Sequence, residues 1–461
     1  MNVHDSDKLA NLLYHSGLEA ASTPDQADVL VINTCSIRDK AENQLYSDLG
    51  ALRSWKEAVP ARVIGVGGCV AQQVGDSLLK RFPHLDFVFG THNLRQVPSM
   101  LQAALAGKRA SETGESRSLD RFDLPELHPG MQAQGAGRAF VTVMEGCDMF
   151  CSFCIVPRTR GREISRPAAK ILEEARSLAV SGVREITLLG QTVNAYGRHA
   201  LRRGRSAESG TMAFADLLAE LDAVPGIERI RYTSPHPIFY DAALIRAHAD
   251  LEHLCPHVHL PLQSGSNAVL EAMRRRYSRE DYLDLVRALR EAVPGLAITT
   301  DLIVGFPGET DSDFSDTLDL VRRVGFVDSY SFKYSPRPET GAIDLPNAVD
   351  PSEAQSRLEA LQVLQRELTL EHHRSRVGQR VEVLIQGNSR RGEGQLCGRD
   401  VHHRLVNLAP DEGGAAPIAR AGEIRAVELV EATPHSLIGV LVPGAAQAAS
   451  VIPARSLALE G

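Results

Sequence analysis

The chain has no apolar run approaching the roughly 20 residues a bilayer span requires, so nothing in it reads as a membrane-spanning helix. Its first residues, "MNVHDSDKLA", lack an apolar signal core. Nothing marks it for export, and a cytoplasmic location is expected. Cysteine is scarce, 7 in 461 residues, an odd number spread along the chain. That excludes a disulfide framework and suits a reducing compartment, where cysteines more often hold metals or do chemistry. Positive charge is not in excess either. The net charge is −8, so the chain as a whole does not carry the field of a nucleic-acid binder.

Charge is local, however. Seven Arg fall between His372 and Arg404, among them Arg390, Arg391 and Arg404, against Glu382, Glu393 and Asp400. Four Arg, including Arg158, Arg160 and Arg162, fall between Ile155 and Arg166 against Glu163. Such patches can track phosphates on an acidic protein, and they can equally be solvated, ion-paired surface.

At this length one core is not enough, and two to four domains are expected. Residues 1–106 alternate helical and strand patterns. "DSDKLANLLYHSG" reads as a helix with an Asp or Ser cap and a Gly stop. "DVLVINTC", "ARVIGVGGC" and "LDFVFG" read as buried strands of a parallel sheet. Cys35 and Cys69 fall just past two of those strands, on the edge where open α/β sheets place their sites. Residues 107–137 are polar, Gly-rich and without periodicity, and read as a linker. From 138 to 372 about six strand–helix units follow, which suggests an open, partial (β/α)6 barrel. Residues 376–442 hold short alternating strands with Gly turns, a small antiparallel barrel of a kind that often binds RNA. The tail, 443–461, is Ala/Pro-rich.

The stretch "GCDMFCSFC" places Cys147, Cys151 and Cys154 in the loop after the first strand of the six-unit region. Structural zinc wants four protein ligands, usually paired Cys-x-x-Cys or with His nearby. No His occurs between His128 and His199, and no second Cys pair follows. A catalytic zinc on three thiolates stays open. The compact spacing suits a cluster wrapped by one loop, and three thiolates on a four-iron cube leave one iron free to bind something.

Taken together, "NTCSIRDKAE", "GVGGCVAQ", "MEGCDMFCSFCIVPRTRGREISRP", "LLGQTVNAYG", "HLPLQSGSNAVLEAMRR", "TDLIVGFPGET" and "KYSPRPETGA" resemble the MiaB-type tRNA methylthiotransferases of the radical S-adenosylmethionine (SAM) superfamily. The resemblance runs from about residue 1 to residue 442, and the last barrel looks like a TRAM domain. It implies an N-terminal α/β methylthiotransferase domain, a central radical-SAM barrel and an RNA-binding barrel. It implies two [4Fe-4S] clusters and SAM as cofactors, and two SAM used per turnover. The implied substrate is N6-dimethylallyladenosine at position 37 of tRNA, next to the anticodon, whose C2 hydrogen is replaced by a methylthio group. An aromatic C–H has no useful acidity and no leaving group, so acid–base catalysis cannot open it. A radical made by one-electron cleavage of SAM can. An electron donor such as flavodoxin or ferredoxin and a sulfur source are implied as partners, and a monomer is expected.

By the same resemblance, Cys147, Cys151 and Cys154 hold the SAM-binding cluster, and Cys35 and Cys69 match two of three auxiliary-cluster ligands. Phe153, Gln263, Ser264, Gly305, Pro307 and Gly308 are candidates for contact with SAM. The plainer readings are a helix cap for Ser264 and a tight turn for the glycines. Gln191 and Asn194 are weaker candidates for SAM or base contacts, and Arg158, Arg160, Arg162, Arg390, Arg391 and Arg404 for contacts to tRNA phosphates. His236, His257 and His259 read as structural, since the radical step needs no base. Cys255 and Cys397 read as ordinary small apolar residues. In the resembling family a first strand ends in Gly-Cys, and a Met-Asn pair follows. Here Met1-Asn2 stands at that pair, so the expectation is a chain lacking its first strand and the third auxiliary cysteine. Rival substrates within the superfamily are a threonylcarbamoyl-adenosine and a ribosomal-protein aspartate. A rival of another class is a non-catalytic, metal-bearing RNA-binding module.

Overall fold

A computed structural model describes residues 1–35, 39–116, 118–123, 125–128, 131, 137–204, 209–389, 395–409 and 419–442. The first apolar runs become β1 (Val29–Thr34), β2 (Val63–Gly68) and β3 (Phe87–Phe89), which pair in parallel in that order. Every residue of β2 is buried, as a central strand covered on both faces must be. Its glycines have a packing reason. A Cβ on Gly65 or Gly67 would run into the ring of Phe87 or Phe89. The segment read as a linker carries a fourth parallel strand, β4 (Ala110–Glu112), at the edge beside β3. Three residues of mixed polarity give no periodic signal. The strand is held by backbone bonds, Ala110 N–H to Asp86 O at 3.1 Å and Gly90 N–H to Glu112 O at 2.7 Å.

The first helix spans Asn2–His15 and so begins ahead of the expected Asp or Ser cap. Asp5 does not cap it. It lies within the helix, buried, and is ion-paired with the buried Arg160. Gly17, at φ 84°, stops the helix as the sequence suggests.

The six expected strands form two parallel triplets. The first is β5 (Arg138–Thr142), β8 (Glu185–Leu189) and β9 (Arg229–Tyr232). The second is β10 (His257–His259), β11 (Ala297–Val304) and β12 (Asp328–Lys333). A parallel bridge, Ile230 with Leu254, extends the first triplet's pairing toward the second. Helices Ala168–Val180, Phe214–Asp222, Ala242–Asp250, Arg279–Ala292 and Asp311–Val324 cover one face. The last two begin with full capping boxes, Ser278 with Asp281 and Thr310 with Asp313. Alternation sorts the strands. Ile186, Leu188, Ile298, Leu302 and Val304 pack in the helix-side cores, while Thr299 and Asp301 turn to the other, inner face. A two-stranded ribbon, β6 (Met144–Glu145) with β7 (Ile164–Ser165), closes the base of the loop that carries the cysteine triplet.

The chain divides into two compact units, the second made up, apart from a short segment ending at Gly137, of residues from Thr369 onward. That unit is a closed barrel of β13 (Arg380–Asn388), β14 (Leu396–Asp400), β15 (Leu405–Leu408), β16 (Ile424–Ala432) and β17 (Leu437–Leu441), in ring order β13-β14-β15-β17-β16. Val383, Ile385, Val406, Val427, Leu429 and Leu437 fill it. The barrel is antiparallel except for one pair, β15 with β17, which run in parallel. An odd number of strands cannot close with every neighbour antiparallel, so one parallel pair is required.

Candidate metal centre

The cysteine triplet is held by its backbone. Gly146 sits at φ 78°, and a Cβ there would meet the Gly161 and Arg162 carbonyls. Its N–H donates to Gln191 Oε1 at 2.5 Å. Cys147 N–H donates to Gly161 O at 3.2 Å, and Cys154 N–H to Cys151 O at 3.1 Å. Ser152 ties the loop to the segment after β10, with N–H to Met273 O at 3.1 Å and Oγ to Ala272 O at 2.7 Å. Its carbonyl accepts from Ala342 N–H at 2.8 Å. Cys147, Met149 and Cys151 form one apolar cluster with Phe153, Cys154, Val156, Ile238 and Phe239 around them.

The sulfurs have polar company. Cys147 Sγ lies 3.0 Å from Thr192 Oγ1. The buried Arg275 donates to Cys151 Sγ at 3.4 Å and to Pro261 O at 3.1 Å. Burial pushes the Cys154 thiol up to about 12, and the neighbouring Cys151 adds to it. Burial also raises Cys147, against the opposing hydrogen bond from Thr192. Buried thiols of this kind become thiolates when a metal supplies the positive charge. Among the described residues no three His, Cys, Asp or Glu side chains converge as ligands of one metal ion would. A four-iron cube does not ask for that convergence, since each thiolate takes an iron of its own. The donor set, three thiols on one loop and a cation beside them, therefore fits an iron–sulfur cluster.

At the neighbouring sheet, Thr34 pairs with Gly68, so Cys35 and Cys69 follow on adjacent strands at the same carboxyl edge. Gly68 carries φ 94°, and a Cβ would run into Asn33 and Thr34. Cys69 is within electrostatic reach of Arg160.

The other expected residues divide. Phe153 packs between the triplet and the Phe306–Met273 cluster. Gln263 is buried at φ 76° and bridges to β11 through its backbone, with Ile303 N–H on its carbonyl at 2.9 Å. Ser264 Oγ is committed to Thr317 Oγ1 (3.3 Å) and Ser266 N–H (3.2 Å), so it holds the turn that enters the next helix. Gly305, at φ 70°, gives its N–H to Glu309 Oε2 at 2.6 Å, and Glu309 is paired with Arg357. Pro307 is buried and Gly308, at φ 85°, is exposed on the same turn. Asn194 is spent on His236, accepting its N–H at 2.8 Å and donating to its O at 3.0 Å.

Two arginine assignments are corrected. Arg160 is buried and paired with Asp5, and Arg404 is buried in the terminal barrel. Neither offers a guanidinium to a phosphate at the surface. Arg158 and Arg162 are exposed, beside Glu339 and Asp148. Arg390 and Arg391 lie outside the described residues.

The inner face of the strands holds Arg231, Asp301 and Tyr330, which were not picked out from the sequence, and His259, which was read there as structural. Arg231 Nε lies 3.1 Å from Glu185 Oε2. His259 Nε2 lies 3.4 Å from Asp301 Oδ2, and the half-exposed Tyr330 stands 6.0 Å from the His259 ring. Thr192 and Arg275 were also missed. A lone Thr after a Gln and one Arg in a run of three carry no motif. The alternation that marks β8 to β12 as strands was the available signal for the inner face.

Residues 141–321 match the radical SAM superfamily, and residues 1–90 match the uncharacterized protein family UPF0004. The tRNA-2-methylthio-N6-dimethylallyladenosine synthase of Geotalea uraniireducens is 48% identical over 441 residues, 96% of this chain and 96% of that protein. This chain belongs to that synthase family. Another member, from Geobacter sulfurreducens, is 45% identical over 442 residues, covering 96% of this chain and 95% of its own. This chain's fold also resembles that of the radical SAM methyltransferase TsrM of Kitasatospora setae, with TM-score 0.53 at 15% identity, over 85% of this chain and 78% of that one.

Proposed function

We propose that the chain transfers a methylthio group to C2 of N6-dimethylallyladenosine at position 37 of tRNA. The observation that carries this is 48% identity over nearly the full length to a synthase of that name, joined to a cysteine triplet, two of its members buried and Cys154 partly buried, at the carboxyl end of a parallel strand array. In this reading Cys147, Cys151 and Cys154 hold one [4Fe-4S] cluster, while Cys35 and Cys69 give thiolates to a second. When bound there, the first cluster would supply the one-electron reduction that opens SAM to radical chemistry. The chain's own part is positional. Arg275 and Thr192 orient and polarise two of the sulfurs, and Gln191 fixes the loop's entry through Gly146. The edge formed by Phe153, Gln263, Ser264 and the turn Gly305–Gly308 is the side on which SAM is held. The inner face with Arg231, His259, Asp301 and Tyr330 receives the base.

The working division is 1–106, 107–137, 138–372, 376–442 and 443–461, with the terminal barrel holding the tRNA backbone. An electron-donor protein and a sulfur source complete the reaction, in the cytoplasm, on a monomer. The test is nucleoside mass spectrometry of tRNA from cells lacking the gene. Loss of 2-methylthio-N6-dimethylallyladenosine, with its dimethylallyl precursor accumulating, is expected. Unchanged levels refute the reading.

A further inference from the structure

The cluster loop carries one side chain that breaks its pattern. Met149, Cys147 and Cys151 are 5%, 8% and 9% exposed, but Phe150 among them is 43% exposed. Phe150 also sits at φ 51°, the left-handed region, which is an outlier for a bulky residue. A strained backbone that persists in a well-held loop points to use. Here it turns an aromatic ring out of the apolar cluster that its neighbours form.

The ring is not bare. The Arg162 guanidinium lies over it, 5.1 Å from the ring centroid. Asp148 fixes that guanidinium through two hydrogen bonds, Nε to Oδ1 at 2.6 Å and Nη2 to Oδ2 at 3.1 Å. Asp148 Oδ1 also accepts Glu163 N–H at 3.2 Å. Phe150, Arg162 and Asp148 thus form a set whose outer parts are an aromatic face and a planar cation. Unpaired nucleobases stack on such surfaces, on rings and on guanidinium planes alike. Arg158, on the same loop and with its side chain 62% exposed, adds a cation suited to a phosphate.

We propose that Phe150, with Arg162 over it, is the stacking platform for an unpaired base of the tRNA loop that flanks the modified adenosine. This rests on the function proposed above and adds a positioning residue to it. The platform is two residues or fewer from Asp148 and Cys151, so a base stacked there is registered against the cluster loop.

The test uses the full-length, cluster-loaded protein, with dithionite as reductant for the tRNA titrations and flavodoxin as reductant in a parallel series. Phe150→Asn tolerates the left-handed backbone but cannot stack. Phe150→Tyr keeps the stack. For Phe150→Asn, KM and Kd for tRNA rise about tenfold or more, while kcat, iron content and cluster absorbance hold. Phe150→Tyr restores wild-type values. The slope of log affinity against log salt is unchanged in Phe150→Asn, because no phosphate contact is lost, and falls by about one in Arg158→Gln. An unchanged KM with lower kcat and less iron overturns the proposal and makes Phe150 a shaper of the cluster loop. An unchanged KM for tRNA with a raised KM for flavodoxin also overturns it and makes the patch a protein-docking surface. If wild-type protein forms no methylthio product, the function reading fails on its own, and tRNA binding to wild type and Phe150→Asn still decides the stack.

Discussion

Replacing Asp5 by Ala should unfold the N-terminal sheet's layer far more easily than a single surface charge would suggest. The Arg160 and Asp5 side chains are 4% and 12% exposed. Arg160 has no second acceptor ready, since its Nη1 is already buried without a hydrogen-bond partner among the described residues. Burial alone would lower the basicity of Arg160, but Asp5, Cys69 and Glu145 together hold it above the usual value. Removing one partner of a buried pair costs about 3–5 kcal/mol, because the other charge is left uncompensated. With a urea dependence of about 2 kcal/mol/M, the midpoint falls by about 1.5–2.5 M. The assay is built in. Trp55 is the only tryptophan of the chain. It is buried in the core under β1 to β3 and bonded from Nε1 to Pro24 O at 2.9 Å. Its fluorescence reports unfolding of that layer. Asp5→Leu combined with Arg160→Met should recover most of the loss, since apolar side chains of similar volume can replace a buried pair. A midpoint shift in Asp5→Ala below about 0.3 M, inside the error of such extrapolations, would refute the reasoning. So would a double variant no better than the single.

Arg275→Met removes the cation and donor beside Cys151, so the cluster's reduction potential should move negative. A redox titration followed by electron paramagnetic resonance reads this, and an unmoved potential removes Arg275 from the site. Burial lowers His248 to about 4, below its ordinary 6.5, with Nε2 on Tyr232 Oη at 2.5 Å. The unfolded chain therefore takes the proton first. Stability is unaffected above pH 6.5 and falls by about 1.4 kcal/mol per pH unit between 6.5 and 4, a total of about 3.5 kcal/mol. His248→Gln should flatten that part of the urea-midpoint profile, and an unchanged slope contradicts the assignment.

The strands were legible because burial writes itself into short apolar runs, and the terminal barrel because alternation and Gly turns do the same. The spacing of the triplet was enough to place its three cysteines together on one loop. What escaped depends on contacts that cross the chain. β4 is three residues held by backbone bonds to β3, with no side-chain period to read. Asp5 looked like a helix cap, and only the fold brings Arg160, 155 residues away, against it. Arg160 looked like a phosphate contact for the same reason. Ser264 could cap or bind, and its bonds to Thr317 and Ser266 favour the turn. Phe150 left no trace in the sequence, since neither its exposure nor its φ follows from residue type.

In the proposed reaction, two cysteine sets serve two different steps. The direct measurement is on anaerobically reconstituted protein given SAM, sulfide, a reductant and tRNA bearing N6-dimethylallyladenosine. Both deoxyadenosine and 2-methylthio product are quantified for the wild type and for Cys151→Ala and Cys69→Ala. Cys151→Ala should lose both products, while Cys69→Ala should keep deoxyadenosine and lose the methylthio product. Deoxyadenosine formed at the wild-type rate by Cys151→Ala, or methylthio product formed at the wild-type rate by Cys69→Ala, would contradict it.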